Sequence, residues 1–264
     1  MTILDKIIAY KKQEVAKLRS EVALENLVKS PQFKRTPISL KKALTAPNST
    51  GIIAEFKRQS PSKGVINSTA KIGQVTQDYM SAGVAAQSIL TDAHFFGGSI
   101  LDVIKARKVN KTVPILRKDF IIDAFQIIEA KAIGADIILL IVACLTKQQI
   151  KDFGTLATDL GLDVLYEVHS LKDLEKIELD GKIIGINNRN LKTFKVDLEN
   201  SISLANQIPS TCIKVSESGI SDPKTIVDLK AYGFKGFLIG ENFMKTDNPG
   251  TACKEFINEL RMSR

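Results

Sequence analysis

The sequence feature that most restricts the fold is a repeated alternation of short segments rich in branched apolar residues with longer amphipathic segments. The short segments have the length and composition of β-strands, and some of them, such as 135–143, are apolar on both faces. The longer segments show helical periodicity, with Asp or Thr near the start and Gly near the end, the residues that cap helices. Eight predicted strands occupy residues 51–58, 85–92, 113–120, 135–143, 163–169, 182–189, 212–219 and 236–243.

Strands that are apolar on both faces and are joined through helices belong to parallel sheets covered by helices, which predicts an α/β fold. An open, doubly wound sheet that binds a dinucleotide would carry a GxGxxG motif after its first strand, and that motif is absent. Eight strand–helix units between residues 51 and 243 therefore predict a (β/α)8 TIM barrel.

Residues 1–48 precede the first predicted strand and show three helical patterns, at about 2–19, 22–29 and 39–44. A segment of this size rarely buries enough surface to fold alone. We therefore predict two parts, an N-terminal helical extension (1–48) that packs on the barrel and the barrel itself (49–264).

Composition and charge argue against several classes of function. The net charge of +8 suits an anionic small-molecule substrate, but the lysines lie along nearly every predicted helix and no DNA- or RNA-binding motif occurs, so we expect no nucleic-acid partner. No apolar run approaches the roughly 18 residues of a membrane span. The three cysteines form no CxxC pair and the two histidines form no HxxxH motif, which argues against a metal site and favours reduced thiols in the cytoplasm. The sequence points to no particular protein partner.

Polar side chains occur near the carboxyl ends of the predicted strands, where TIM barrels carry their active sites. Residues two apart in a strand face the same side, so a polar residue two positions after an inward apolar residue faces the barrel interior. Isolated buried charges are unfavourable, which predicts that these groups pair with one another at the barrel mouth. The inward positions are Glu55 and Lys57 after Ile53, Lys118 after Leu116, Glu167 after Leu165, Asn187 and Arg189 after Gly185, Glu217 after Val215, and Gly240 after Leu238.

The loops after the seventh and eighth predicted strands contain glycine, as in barrels that hold a phosphate on backbone N–H groups. Gly219 and Gly240 would let a ligand oxygen approach the backbone closely. Ser60 in "SPSKG" offers a hydroxyl and a turn, and Arg189 offers a guanidinium fork. These residues predict a phosphate site at the mouth.

Six segments together resemble the indole-3-glycerol phosphate synthase family, and the resemblance covers essentially the whole chain. It implies a (β/α)8 barrel with a helical extension over the mouth. It also implies a cofactor-free lyase of tryptophan biosynthesis, which converts 1-(2-carboxyphenylamino)-1-deoxyribulose 5-phosphate to indole-3-glycerol phosphate, carbon dioxide and water. The segments are "ILDKIIAYKKQEV" (3–15), "IIAEFKRQSPSKG" (52–64), "ILTDAHFFGGS" (89–99), "PILRKDFIID" (114–123), "GINNRNLKTFKVD" (185–197) and "VSESGI" (215–220).

The resemblance also implies which residues act, motif by motif. The catalytic roles fall on Glu55, Lys57, Lys118, Glu167, Asn187, Glu217 and Ser218. The phosphate site comprises Ser60, Arg189, Gly219 and Gly240, with Glu241 next to the last of these.

The reaction requires acids and bases of these types. Ring closure needs a proton donor to a carbonyl oxygen, and Lys118, an ammonium held among like charges or partly desolvated, is the candidate general acid. Dehydration then needs a base and an acid, for which Glu167 and Lys57 are the candidates, with the division of roles left open. The other polar residues would orient the lysines and bind substrate.

Two other interpretations of the site are open. A related phosphate-binding isomerase barrel would use a Cys–Asp or Asp–Asp pair at strand ends, whereas the first strand here ends in Glu-Phe-Lys. We also expect no cysteine at a strand end near the mouth. A non-catalytic barrel that binds an anionic partner would bind the substrate without turnover.

Overall fold

The computed structural model describes residues 2–190 and 195–263, and its centre is a closed barrel of eight parallel strands. Each strand pairs with its neighbours along the chain, and the last strand pairs with the first. Residues 1, 191–194 and 264 lie outside the described residues; the four internal ones belong to the segment 185–197 that contributes to the family resemblance. The barrel strands are β1 (Ile52–Phe56), β2 (Ala86–Leu90), β3 (Ile115–Lys118), β4 (Ile137–Ile141), β5 (Asp163–Val168), β6 (Ile183–Asn187), β7 (Ile213–Glu217) and β8 (Phe234–Ile239).

Closure of the barrel is visible in the register of β1, where Ile53 lies opposite both Ala86 of β2 and Leu238 of β8. Alternate residues of each strand face inward and fill the barrel, as Ile53 and Leu165 do. The residues between them, such as Ile52, pack outward against the helices. The predicted TIM barrel is therefore confirmed.

Several predicted strand boundaries differ from the observed ones. Strand β3 occupies only Ile115–Lys118 of the predicted segment 113–120, because pairing stops where the loop of the mouth begins. The predicted bounds of the last strand are wrong: β8 occupies Phe234–Ile239, and residues 241–243, predicted as strand, belong to the short helix Glu241–Met244. Short apolar runs do not by themselves distinguish a strand from a buried helical turn.

The helices surround the barrel and carry the expected cap residues. Asp123, for example, forms a capping box with Gln126, and Gly134 ends the same helix in the left-handed region with a φ of 94°. Two short strands, Gln59–Ser60 and Gly64–Val65, form a hairpin after β1. The α-helices are α1 (Ile3–Glu21), α2 (Leu24–Val28), α3 (Leu40–Thr45), α4 (Ile72–Ala82), α5 (Ala93–Phe96), α6 (Ile100–Val109), α7 (Ala124–Ile133), α8 (Lys147–Asp159), α9 (Leu171–Leu174), α10 (Leu198–Ala205), α11 (Pro223–Lys230), α12 (Glu241–Met244) and α13 (Pro249–Met262).

The first helices contact both ends of the barrel. Leu40 and Leu44 of α3 join the apolar cluster inside the barrel near the strand starts, and Ser39 donates a hydrogen bond to Asp163 at the start of β5. At the opposite end, Ile7 of α1 lines the mouth. The division between an extension ending at residue 48 and a barrel beginning at 49 stays a prediction. None of the helices within residues 2–190 and 195–263 is long and apolar enough to cross a bilayer.

Candidate active site

A cavity of about 560 Å³ lies at the carboxyl ends of the barrel strands, beneath the N-terminal turns of α1. Its size is typical of small-molecule sites. The structure brings together here every residue that the sequence analysis assigned to catalysis or phosphate binding, although their individual roles stay predictions. These residues are Glu55, Lys57, Ser60, Lys118, Glu167, Asn187, Arg189, Glu217, Ser218, Gly219, Gly240 and Glu241.

Two ammonium groups and three carboxyl groups form the centre of the cleft. Lys118 Nζ lies 3.4 Å from Glu217 Oε2, 3.6 Å from Glu167 Oε2 and 4.0 Å from Glu55 Oε2. Lys57 donates a hydrogen bond to the other oxygen of Glu55 at 2.8 Å. All three carboxyl groups are buried, because they occupy the last inward-facing positions of β1, β5 and β7. Glu55 at the end of β1 is thus paired with Lys57 and, across the barrel, with Lys118.

The carboxylates around Lys118 determine its protonation. Burial by itself lowers the pKa of this lysine, but the charges of Glu217, Glu167 and Glu55 outweigh burial and raise the pKa. Of the two expected surroundings of Lys118, like charges are wrong, since its neighbours within 4.0 Å include carboxylates from three strands, whereas partial desolvation is confirmed, since 15% of its side chain is exposed. Lys118 is a stable ammonium at neutral pH.

The pKa values of Glu217 and Glu55 shift in opposite directions. Burial raises the pKa of Glu217 to about 8, and the charges of Glu167 and Glu55 add to this effect while Lys118 opposes it. Burial also raises the pKa of Glu55, but Lys57 and Lys118 outweigh burial and lower it. Three carboxyl groups share two ammonium groups, and the raised pKa of Glu217 favours its protonated form.

Two glycines make room for the buried carboxyl groups. A Cβ at Gly185 in β6 would contact Glu217 Oε1 well inside van der Waals distance, and it would also lie 3.2 Å from Leu165 Cδ1. A Cβ at Gly240 would lie 2.5 Å from Glu55 Oε1. The sequence analysis assigned Gly240 to phosphate approach alone, whereas the structure shows that its missing side chain also leaves space for Glu55.

The turn after β7 has an unusual backbone. Ser218 has a φ of 70°, the only non-glycine residue with a positive φ within the described parts of the chain, and Gly219 follows with a φ of 78°. Such a conformation is strained for serine and persists only when the surroundings hold it. Buried Asn188 donates a hydrogen bond to the Ser218 carbonyl at 2.9 Å and another to Ser216 Oγ at 3.0 Å. The sequence analysis missed Asn188, although "NNR" places it beside the predicted Asn187.

The predicted phosphate residues follow β1, β6, β7 and β8, so they lie on one side of the mouth. Arg189 Nη2 is 3.6 Å from Glu241 Oε2, and Lys63 Nζ is 3.5 Å from Glu241 Oε1. Ser60 and Ser62 hydroxyls lie 3.4 Å apart. A carboxylate repels phosphate, so Glu241 would act by holding the two cations. Lys63 was missed by the sequence analysis although it belongs to "SPSKG".

An apolar wall follows β2 and β3, across the barrel from the loops after β6 and β7. The rings of Phe96 and Phe120 line the cavity with their centroids 6.0 Å apart. Ile3, Leu4 and Ile7 of α1 also line the cavity. The cleft therefore has a cationic side, a central cluster of acids and bases, and an aromatic side.

Cys144 corrects one expectation. It lies in a single 3-10 turn directly after β4, so a cysteine does occur at a strand end near the mouth. Its thiol donates a hydrogen bond to the Ile141 carbonyl, and it does not line the cavity. Burial and the nearby charge of Glu167 raise the pKa of the thiol to about 12, so Cys144 is a neutral group at physiological pH. In the described ranges, no group of three or more His, Cys, Asp or Glu side chains could hold a metal ion.

Comparison with known proteins gives concordant results. A sequence profile of the family described as "Indole-3-glycerol phosphate synthase" matches residues 4–256. A protein of that name from Bacteroides thetaiotaomicron is 47% identical over 259 residues, covering 98% of this chain and 99% of its own length. Proteins of the same name from a Polaromonas species and from Bordetella pertussis are each 42% identical, covering 96% and 97% of this chain and 97% and 98% of their own lengths.

Solved structures support the fold. The tryptophan synthase subunit alpha from Legionella pneumophila superposes with a TM-score of 0.59 at 12% identity, covering 85% of this chain and 97% of its own. The tryptophan synthase complex from Pyrococcus furiosus contains a chain with a TM-score of 0.57 at 16% identity, covering 81% of this chain and 98% of its own. At such low identity these similarities show the barrel architecture alone.

Proposed function

The chain belongs to the indole-3-glycerol phosphate synthase family of ring-closing, decarboxylating lyases in tryptophan biosynthesis, and we propose how its cleft performs that reaction. One observation carries the proposal. Lys118 Nζ lies within 4.0 Å of carboxyl oxygens from three strands, inside the same cavity as Arg189 and Gly219. Acid, base and anion-binding groups therefore share one site.

The substrate, an anionic small molecule with a phosphate at one end and a carboxyphenyl ring at the other, would lie across the cleft. Its phosphate would lie near Ser60, Arg189, Gly219 and Gly240, where a hydroxyl, a guanidinium and close-approaching backbone are available. Glu241 would exchange its contacts with Arg189 for solvent as the phosphate arrives. The carboxyphenyl ring would then reach the wall after β2 and β3.

Ring closure joins the ring carbon that bears the carboxylate to the ketone carbon of the sugar chain. As that bond forms, the carbonyl oxygen gains negative charge, and Lys118 donates a proton to it. The raised pKa of Lys118 keeps the ammonium fully protonated until an oxyanion, a stronger base than a carboxylate, develops beside it. The carboxylate then leaves as carbon dioxide, and its bonding electrons restore the aromatic ring.

Dehydration completes the indole. Glu167 removes a proton from the carbon next to nitrogen, Lys57 protonates the hydroxyl that leaves as water, and the electron pair of the broken C–H bond forms the new double bond. Lys57 lies between the β1 end and the cavity, with 16% of its side chain exposed and its nitrogen on Glu55. We propose Glu167 as the base and Lys57 as the acid of this step.

The remaining polar residues position the reacting groups. Glu55 holds Lys57, and Asn187 accepts a hydrogen bond from the Arg189 backbone at 3.0 Å. Glu217, whose raised pKa favours protonation, adjusts the total charge when the anionic substrate arrives. Ser218 lines the cavity beside Gly219, and we propose that it contacts the substrate there.

All proton transfers are assigned to side chains of this protein, so the proposed reaction uses no cofactor. We propose that it takes place in the cytoplasm, where the free thiols of Cys144, Cys212 and Cys253 would remain reduced.

The test supplies the purified protein with 1-(2-carboxyphenylamino)-1-deoxyribulose 5-phosphate in the presence of a chelator. We expect indole fluorescence to rise together with release of one carbon dioxide per substrate consumed. Tight binding without product would support the non-catalytic barrel instead. Consumption of substrate without carbon dioxide would support an isomerase.

A further inference from the structure

Helix α1 carries a buried lysine that the reaction itself does not use. The Lys11 side chain is 1% exposed, and its ammonium lies 2.8 Å from Glu14, 2.9 Å from Asp92 and 3.0 Å from Asp119. Burial alone would lower the pKa of this lysine, but the surrounding carboxylates raise it. Lys11 is therefore a permanent cation enclosed by three acidic side chains.

Two of these carboxylates begin the loops that form the aromatic side of the cleft. Asp92 follows β2 and caps α5, where its Oδ1 accepts a hydrogen bond from the Phe95 N–H at 2.7 Å. Asp119 follows Lys118 directly, and its Oδ1 accepts a hydrogen bond from the Phe120 N–H at 2.8 Å. One ammonium group thus joins helix α1 to two neighbouring loops of the mouth.

Each of these loops contributes one ring to the cavity. Phe96 ends α5 and Phe120 follows Asp119, and their centroids are 6.0 Å apart. A second contact joins the same helix to the same loop, since Tyr10 stacks on His94 with centroids 4.3 Å apart. The position of the two phenylalanines relative to α1 therefore depends on contacts with one face of that helix.

The two carboxylates depend on Lys11 to different degrees. Asp119 also contacts Arg117 at 3.2 Å and accepts a hydrogen bond from Thr91 at 2.6 Å. Among the described residues, Lys11 is the only cation paired with Asp92, which is fully buried. A buried carboxylate without its cation must take up a proton or move toward water. Either response would shift the start of α5 and with it Phe96.

We propose that Lys11 is a positioning residue that fixes the Phe96–Phe120 wall against which the aromatic ring of substrate and product packs. This inference rests on the proposed function, because it requires a ligand with an aromatic half and a phosphate half. Lys11 does not line the cavity, so it acts through Asp92 and Asp119 rather than on the ligand.

The test compares two ligands that share a glycerol phosphate and differ by the indole ring, indole-3-glycerol phosphate and glycerol 3-phosphate. Dissociation constants are measured by calorimetry for the wild type, Lys11→Met and Lys12→Met. Lys12 is the matched control, since it is the next lysine of α1 and is exposed. We expect Lys11→Met to weaken binding of indole-3-glycerol phosphate about threefold to tenfold, the range of a lost aromatic contact. Glycerol 3-phosphate has no aromatic ring to contact the wall, so its affinity for Lys11→Met should stay within about twofold of its affinity for the wild type.

Equal affinities of wild type and Lys11→Met for the indole ligand would overturn the inference, and so would equal weakening of both ligands in a folded variant. If Lys11→Met does not fold, the same comparison uses Lys11→Met combined with Asp92→Asn, which leaves no unpaired charge at position 92 and keeps a side chain that can cap α5. This variant still lacks the ammonium that joins α1 to both loops, so the same weakening is expected. Wild-type turnover in the synthase assay separates the two claims. An inactive wild type would refute the proposed function, whereas an active wild type with unchanged Lys11→Met affinities would refute this inference alone.

Discussion

Replacing Glu217 with glutamine removes one ionisable group from the centre of the cleft while nearly preserving its volume. Glu217 is 1% exposed, and burial raises its pKa to about 8 from an ordinary value of 4.5. A carboxyl group with a raised pKa in the folded protein favours folding in its protonated form. Its contribution is fully present below pH 4.5, declines as the pH rises, and reaches its lowest value above about pH 8.

The size of the effect follows from that interval. Between the two pKa values the wild type loses about 1.4 kcal/mol of unfolding free energy per pH unit through this group. Between about pH 5 and about pH 8 the loss sums to about 3 to 4 kcal/mol, because the slope is shallower near each pKa. Glutamine cannot ionise, so Glu217→Gln should gain that amount relative to wild type over the same pH range.

The measurement is urea unfolding of wild type and Glu217→Gln at several pH values between 5 and 9. Ionisable groups outside this cluster titrate alike in both proteins, so their contributions cancel in the difference of unfolding free energies. Glu241→Gln is the matched control, because it replaces a glutamate with glutamine in the same cavity at a position where 35% of the side chain is exposed. A difference between wild type and Glu217→Gln that is constant across the pH range would refute the assignment of the retained proton to Glu217.

Three further predictions concern the reaction. Lys118→Met should lower kcat by at least about 10²-fold, as removal of a general acid does, and near-wild-type single-turnover rates would place the acid elsewhere. Arg189→Ala should raise KM and weaken inhibition by inorganic phosphate, whereas an unchanged KM would reduce Arg189 to a structural role. Gly185→Ala should displace the Glu217 carboxyl group and lower kcat by about 10-fold to 100-fold. Gly73→Ala, where an added Cβ meets nothing within 4 Å, should keep wild-type kcat and serves as its control.

We propose that protonation of Glu217 favours both the folded state of the cleft and the binding of an anionic substrate. Three buried carboxyl groups near two ammonium groups leave one negative charge in excess when all are ionised. This arrangement is unfavourable for folding in the absence of ligand. An anionic substrate would be repelled by the excess charge, and protonation of Glu217 relieves that repulsion. The same buried proton therefore links the pH dependence of stability to substrate binding.

The sequence alone determined the fold and the inward direction of the acids and bases. Strand and helix periodicities extend over a few residues, so eight alternating units were readable without knowledge of distant contacts. The i, i+2 rule of a strand likewise placed Glu55, Lys118, Glu167 and Glu217 on the inward face. The motif resemblance added Ser218, whose strained backbone has no signature in local periodicity.

The tertiary structure decided which charges meet. Lys11 and Asp119 are far apart in sequence and 3.0 Å apart in space, and no local pattern pairs them. The same is true of the space that Gly240 leaves for Glu55, and of the carboxylates that surround Lys118. Burial and charge–charge energies depend on distances across the barrel rather than on neighbours in the chain. For this reason the sequence indicated the types of group in the cleft, whereas their pairing and protonation required the closed barrel.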